Sequence, residues 1–365
     1  MKIGKITLAT ISVHEVAGGL ERNIIRLANH LASAGNSVRL ITFDLPGVIP
    51  FYRLDDRVDL IGIGESEPHQ PIGLVQLVRL VGKIYHIINA DNKSGTVICF
   101  HHGILFRFLF AAWAARSKIV CSERNALEMY EYISSSKWGF NFCLMALVDK
   151  ITVQFPEYVS RYPALMRKKI SVVPNPVEQV LNLPHIAERD KIILSVGRFE
   201  HQKQFKLLVQ AFSEVHKNYR DWRLVIIGDG SLSEEIVDEI ARYGLQDNIS
   251  LLLPNSDIRK WYREAIVYCQ PSKWEGFPNA QAEAMAHGMI PVGFSSTRGV
   301  AELIEDGKNG VLCGADQNAE QLRDGLLRLI KSPGEWDRLS MEAKKSMRRY
   351  SVSNWENAWA DVIGK

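Results

Sequence analysis

Short apolar runs rich in β-branched residues alternate with longer helical patterns from one end of this chain to the other. Strands are predicted at 3–11, 37–43, 58–62, 96–100, 118–121, 150–153 and 170–173, then at 191–196, 223–228, 249–253, 266–269, 289–293 and 310–312. Between them, "LERNIIRLANHLASAG" sets Leu20, Ile24, Leu27, Ala28 and Leu31 on one helical face and stops at Gly35. "KLLVQAFSEVHKNY" and "EEIVDEIARYG" follow the same pattern. Strands that are apolar nearly throughout, joined by helices, require parallel sheets covered on both faces. The expected class is doubly wound α/β.

With 365 residues the chain exceeds one ordinary core, so two domains are expected. The break falls in "VVPNPVEQVLNLPHIAERD", where three prolines and few periodic apolar positions continue neither pattern. The expected division is a first domain over 1–174, a linker over 175–190 and a second domain over 191–349. A helix over 350–365 carries Trp355, Trp359 and Ile363 at helical spacing, a face that must dock on something.

Residues 1–175 hold 20 lysines and arginines against 14 carboxylates, and residues 176–365 hold 24 against 27. A mildly basic first half suits an anionic ligand or membrane surface and is too weak for nucleic acid. Within it, "RYPALMRKK" sets Arg161, Arg167, Lys168 and Lys169 beside Tyr162, Leu165 and Met166, so peripheral contact with an anionic membrane is expected there. The five cysteines show neither CxxC nor zinc-type spacing. Three of them lie in predicted strands, where a reduced thiol behaves as a small hydrophobe, which points to the cytoplasm. The opening "MKIGKITLATIS" turns polar too soon for a signal peptide, and "GILFRFLFAAWAA" is too short to span a bilayer.

In open α/β sheets, ligands bind beyond the carboxyl ends of strands, where helix N-termini point. Four such places carry unusual residues. In "HEVAGGLERN", Gly18 and Gly19 let backbone N–H groups approach a phosphate or sugar, although the pattern is not GxGxxG. In "ILSVGRFEHQKQF", Gly197 and Arg198 end a strand and Lys203 heads the next helix, a fork and an ammonium suited to a diphosphate. "LVIIGDGS" offers a close turn at Gly228. In "PSKWEGFPNAQAEAMAHG", Gly276, Phe277 and Pro278 form a turn, Asn279 is the predicted N-cap, and Glu283 lies one turn inside the helix. Glu275 stays on the loop. The helix start favours anions, and the two carboxylates suit sugar hydroxyls.

With these residues together, the sequence resembles a retaining glycosyltransferase of the GT-B fold, family four. "VGRFEHQKQF" is similar to that family's G-R-x4-K segment, with Gln204 where glycine or asparagine often stands. "EGFPNAQAE" carries its Glu-x7-Glu motif, and "GGLERNIIRLANHLASAG" resembles its opening loop and first helix. The resemblance implies two Rossmann-like domains facing across a cleft, an acceptor-binding first domain joined by the terminal helix, and a donor-binding second domain. It implies that Arg198 and Lys203 hold the donor diphosphate, Glu283 the ribose and Glu275 the transferred sugar. His101 or His102, in "VICFHHG", would stand near the donor hexose. "CSERN", residues 121–125, resembles a segment of bacterial relatives that build N-acetylhexosamine-containing glycans.

The implied reaction moves a hexose or N-acetylhexosamine from a nucleotide sugar, UDP-linked, to a growing glycan such as a lipid-linked or surface-polysaccharide precursor. The nucleotide sugar is a co-substrate, with no obligatory cofactor or metal, on the inner face of the cytoplasmic membrane. Alternatives on the same fold are a nucleotide-sugar epimerase, a phosphorylase, or a non-catalytic sugar-nucleotide-binding subunit.

Overall fold

The computed structural model describes residues 4–14, 18–64, 73–90, 94–125, 140–254 and 257–364. Ile3 of the first predicted strand, residues 15–17 before the glycine pair, and Lys365 lie outside the described residues. The chain divides into two compact units, Met1–Asn175 with Ser353–Lys365, and Pro176–Val352.

The first unit contains a seven-stranded sheet: β1 (Lys5–Ala9), β2 (Ser37–Thr42), β3 (Val58–Gly62), β4 (Thr96–Phe100), β5 (Lys118–Ser122), β6 (Lys150–Val153) and β7 (Ile170–Val172). Every pairing is parallel, in the order β3-β2-β1-β4-β5-β6-β7. All five residues of β1 and of β4 are buried, which accounts for their continuous apolar sequence. The order reverses between β1 and β4, and a ligand crevice belongs beyond the carboxyl ends at such a point.

From Ser353 onward, the terminal helix Val352–Gly364 belongs to this unit. Its Trp355, Trp359, Val362 and Ile363 are buried in one cluster with Ile24, Leu27, Phe100 and Val173. Beneath Trp359, the Arg124 guanidinium lies 5.3 Å from the ring and donates to Val173 O and Ser122 Oγ. Burial pushes that guanidinium down to about 9, against the pull of Glu123.

The second unit contains β8 (Asp190–Val196), β9 (Arg223–Ile227), β10 (Ile249–Leu252), β11 (Ala265–Gln270), β12 (Ile290–Phe294) and β13 (Val311–Cys313), all parallel, in the order β10-β9-β8-β11-β12-β13. Its reversal falls between β8 and β11. The proline-containing stretch expected as a linker is held against this unit. Val177 N donates to Tyr350 O, Ile186 is buried in the core, and Arg189 donates to the carbonyls of Tyr262, Ala265 and His287. Four cysteines, not three, sit in strands, because β13 extends to Cys313; burial pushes their thiols up.

Candidate active site

At the reversal of the second sheet, β8 runs into Gly197 and Arg198, and the short turn His201–Lys203 leads to the helix Phe205–His216. Arg198 is exposed. A Cβ on Gly197 would stand 2.9 Å from Lys203 Cε, so the glycine makes room for the lysine stem to cross it. A Cβ on Gly228 would stand 1.9 Å from Gly197 O. Gly228, expected at the donor, therefore has a packing reason of its own. Having crossed the loop, Lys203 Nζ reaches Glu275 Oε1 at 2.6 Å.

Glu275 is buried on the loop after β11. Its Oε1 also accepts from Gln270 Nε2 at 3.0 Å, and that nitrogen donates to Ser272 Oγ at 2.6 Å. The Tyr268 hydroxyl donates to Gln270 Oε1 at 2.9 Å. Burial first, then the charge of Glu275, holds the Tyr268 phenol well above its ordinary range, so it stays a donor. The network runs Tyr268, Gln270, Glu275, Lys203. Two further bonds fix the two loops together: Lys273 N donates to Gln202 O at 2.8 Å, and Gln202 Nε2 donates to Trp274 O at 2.7 Å.

The helix Asn279–Ala286 begins one residue earlier than expected. Asn279 is its first residue, Pro278 takes the N-cap position, and no side chain caps the turn. This corrects the predicted Asn279 cap: the fixed φ of proline already sets the entry to the helix. The Phe277 ring is buried and packs T-shaped with Tyr350 at 5.4 Å, which takes the side chain away from a ligand. At Gly299 a Cβ would meet Glu275 O at 2.5 Å and Gly276 O at 2.7 Å; that glycine backs the loop. Glu283 is half-buried, and its Oε2 accepts from the Tyr262 hydroxyl at 3.3 Å.

At the reversal of the first sheet, Gly18 is extended and Gly19 opens the helix Gly19–Ser33. After β4, His101 has φ 88° and ψ 133°, a backbone region costly for any side chain, and its Nδ1 accepts from Gly103 N. His102 stacks on it with centroids 4.5 Å apart, and His102 Nδ1 lies 2.6 Å from Glu123 Oε2. Burial alone would push the Glu123 carboxyl up. The charges of His101 and His102 and the hydrogen bonds from His102 and Asn125 overcome it and hold it at about 2. His101 Nδ1 accepts from Gly103 N, whereas His102 Nδ1 bonds the carboxylate itself. Among the described residues, His101, His102 and Glu123 are the one group whose metal-ligating atoms come within 4.8 Å of one another. His102 and Glu123 already bond each other.

The sequence did not single out Tyr268, Gln270, Ser272 or Glu123 as site residues. A signal for Gln270 was present: a glutamine closing an apolar strand, two residues from Tyr268 and on the same face. The basic segment 161–169 departs from expectation. Tyr162 and Met166 are buried, Arg167 donates to Tyr162 O and Ser160 O, and Lys169 to Ala146 O and Val148 O. Only Leu165 of its three apolar side chains is exposed, because two very short helices turn the others inward. Among the described residues, no helix is long and apolar enough to cross a membrane.

Residues 182–346 match the family described as glycosyl transferases group 1. An uncharacterized glycosyltransferase of Methanocaldococcus jannaschii is 30% identical, over 95% of this chain and 94% of that one. The amylovoran biosynthesis glycosyltransferase AmsD of Erwinia amylovora is 25% identical over 95% of this chain and 96% of its own. From Campylobacter jejuni, a "GalNAc-alpha-(1->4)-GalNAc-alpha-(1->3)-diNAcBac-PP-undecaprenol alpha-1,4-N-acetyl-D-galactosaminyltransferase" is 22% identical over 100% and 99%. Among solved structures, Anabaena HepE in complex with UDP superposes with TM-score 0.79 at 18% identity, covering all of both chains. A glycosyltransferase from Rickettsia africae gives 0.78 at 18%, over 98% and 97%. With two parallel-sheet units and likeness along its whole length, the chain has the GT-B fold and belongs to the glycosyl transferases group 1.

Proposed function

We propose that this glycosyltransferase moves a hexose or N-acetylhexosamine from a UDP-sugar, with retention, onto a growing lipid-linked or polysaccharide-precursor glycan. The observation that carries this is the Lys203–Glu275 pair at the carboxyl ends of β8 and β11, beside exposed Arg198 and the helix opening at Asn279. Arg198 and Lys203 take the donor diphosphate, backbone N–H groups at Gly276 and Phe277 add to it, and Glu283 takes the ribose. Glu275 accepts hydroxyls of the transferred sugar. The first unit takes the acceptor, and the loop at Gly18 and Gly19 and a histidine at 101 or 102 serve the donor.

Glu275 is engaged by Lys203 and Gln270, which supports a role in binding rather than as a nucleophile. The C1–O bond to the diphosphate breaks as the acceptor oxygen forms its bond to C1 on the same face. The cations stabilise the departing charge, and the phosphate oxygen receives the acceptor's proton. No metal enters this scheme. UDP in the HepE structure and the undecaprenol-linked glycan in the Campylobacter jejuni relative's name support the substrate classes.

The test is incubation with UDP-glucose, UDP-galactose, UDP-N-acetylglucosamine and UDP-N-acetylgalactosamine in EDTA, with and without undecaprenyl-diphosphate-linked oligosaccharide. The expected product is α-linked by NMR and forms only with acceptor. A β-linked product overturns retention. Donor conversion without acceptor returns the epimerase.

A further inference from the structure

We infer that the outer faces of the helices Leu74–Asn89 and Leu105–Ala114, in the first unit, form a docking surface for an anionic membrane. Such docking requires no turnover and is tested apart from the proposed transfer.

The two helices carry the chain from β3 to β4 and from β4 to β5, and they pack side by side. The first turns Leu80, Ile84 and Ile88 inward, a row at helical spacing. Its Leu74, Val75 and Val78, off that row, are exposed. The second helix buries Leu105, Phe108, Leu109 and Ala112. Phe106, Phe110 and Trp113, spaced by four and then three positions, share another flank. Phe106 is half-buried, while Phe110 is 52% and Trp113 44% exposed. Phe110 and Trp113 meet edge to face with centroids 5.8 Å apart. Exposed apolar side chains scattered singly need no explanation, but five on two adjoining helices mark an interaction surface.

Charge selects the occupant. Neither helix contains a carboxylate. Across residues 68–122 the one acid is Asp91, against Arg79, Lys83, Lys93, Arg107, Arg116 and Lys118. Arg107 is buried, but Arg79 is exposed directly after Val78, and Arg116 is exposed three positions after Trp113. A symmetric contact between two copies would set these cations against one another. A lipid surface suits both parts of the pattern: anionic headgroups take the cations, and the acyl boundary takes leucine, valine and phenylalanine. Tryptophan belongs at the level between them. The segment 161–169 turns two of its three apolar side chains inward, whereas here they stand outside. The run "GILFRFLFAAWAA", too short to cross a bilayer, is built to lie along one.

The test is flotation of the full chain at low salt with vesicles of phosphatidylcholine, alone or mixed with phosphatidylglycerol. The expected result is recovery with the mixed vesicles only, weakened in high salt. Phe110→Ser combined with Trp113→Ser should weaken partition into the mixed vesicles by roughly tenfold or more. Arg79→Ala and Arg116→Asn should each weaken it by roughly fivefold, asparagine being chosen because Arg116 has φ 52°. All of these change exposed side chains, and circular dichroism checks that the variants fold as the wild type does. Leu165→Ser, in segment 161–169, should bind as the wild type. Wild-type protein that floats with neither vesicle overturns the docking surface, as does an aromatic double variant that floats undiminished. A dimer seen by sedimentation without vesicles, and dissociated by the same double variant, also overturns it and makes the face a contact between copies.

Discussion

Lys203 Nζ sits 2.6 Å from Glu275 Oε1, joining the loop after β8 to the loop after β11 across 72 positions of sequence. The two residues were expected to serve different parts of a donor, one the diphosphate and one the sugar. In the structure each first satisfies the other. The carboxylate is buried with its cation, and the lysine stem is fixed over Gly197. Under the proposed function, a donor diphosphate would share an ammonium already held in place by Glu275.

Lys203→Ala should therefore cost stability as well as affinity. It strands a buried carboxylate from the cation it bonds, and breaking such a pair costs on the order of 3–5 kcal/mol. Adding Glu275→Gln to it should recover much of the loss. Thermal unfolding of the three variants checks this; a lysine variant as stable as wild type contradicts it.

Gln204 has φ 51° and ψ 37°, a left-handed conformation that favours glycine or asparagine over glutamine. Its Nε2 is also buried without a hydrogen-bond partner. Gln204→Gly should raise stability by about 1 kcal/mol, read as a higher midpoint in urea, with UDP affinity unchanged.

Trp359→Ala should destabilise the first unit by roughly 3–5 kcal/mol. The ring fills the core beside Phe100 and faces Arg124, so its loss opens a cavity over a buried cation. Urea unfolding followed by a probe in the first unit gives the number; a shift below 1 kcal/mol would mean the helix docks without it.

The sign of the acid response follows from Glu123. Its carboxyl is held at about 2 in the folded chain against an ordinary 4.5. The stability it contributes is present above pH 4.5 and is lost as pH falls from there toward 2. Glu123→Gln lacks that contribution, so its unfolding midpoint should fall less between pH 5 and 3 than the wild type's. Parallel curves would contradict the shift.

The strand ladder was legible because the strands are buried on both faces, leaving sequence patterns that alternate cleanly with helical ones. Arg198, Lys203, Glu275 and Glu283 were visible because they flank strand-end glycines or a helix start. Glu123 was not, because its meaning depends on the level pairing of Phe100 with Ser122, a non-local register that no local pattern encodes. Asn279 misled because proline and asparagine side by side give two competing helix-start signals, and proline prevailed. Tyr162 and Met166 looked interfacial for a similar reason: over nine residues, composition cannot say which way two short helices turn.

Calorimetric titration of UDP, paired with turnover of the UDP-sugar the wild type uses, tests the central claim most directly. Arg198→Ala should weaken UDP by roughly 10–100-fold, the equivalent of one charge-assisted contact, and Glu283→Gln should weaken it too. Glu275→Gln should bind UDP within about threefold of wild type yet lose turnover on the order of 100-fold, as follows if it serves the sugar and not the nucleotide. If the three variants bind UDP as the wild type does, or Glu275→Gln and Glu283→Gln behave alike in both measurements, this assignment of the second unit's residues is wrong.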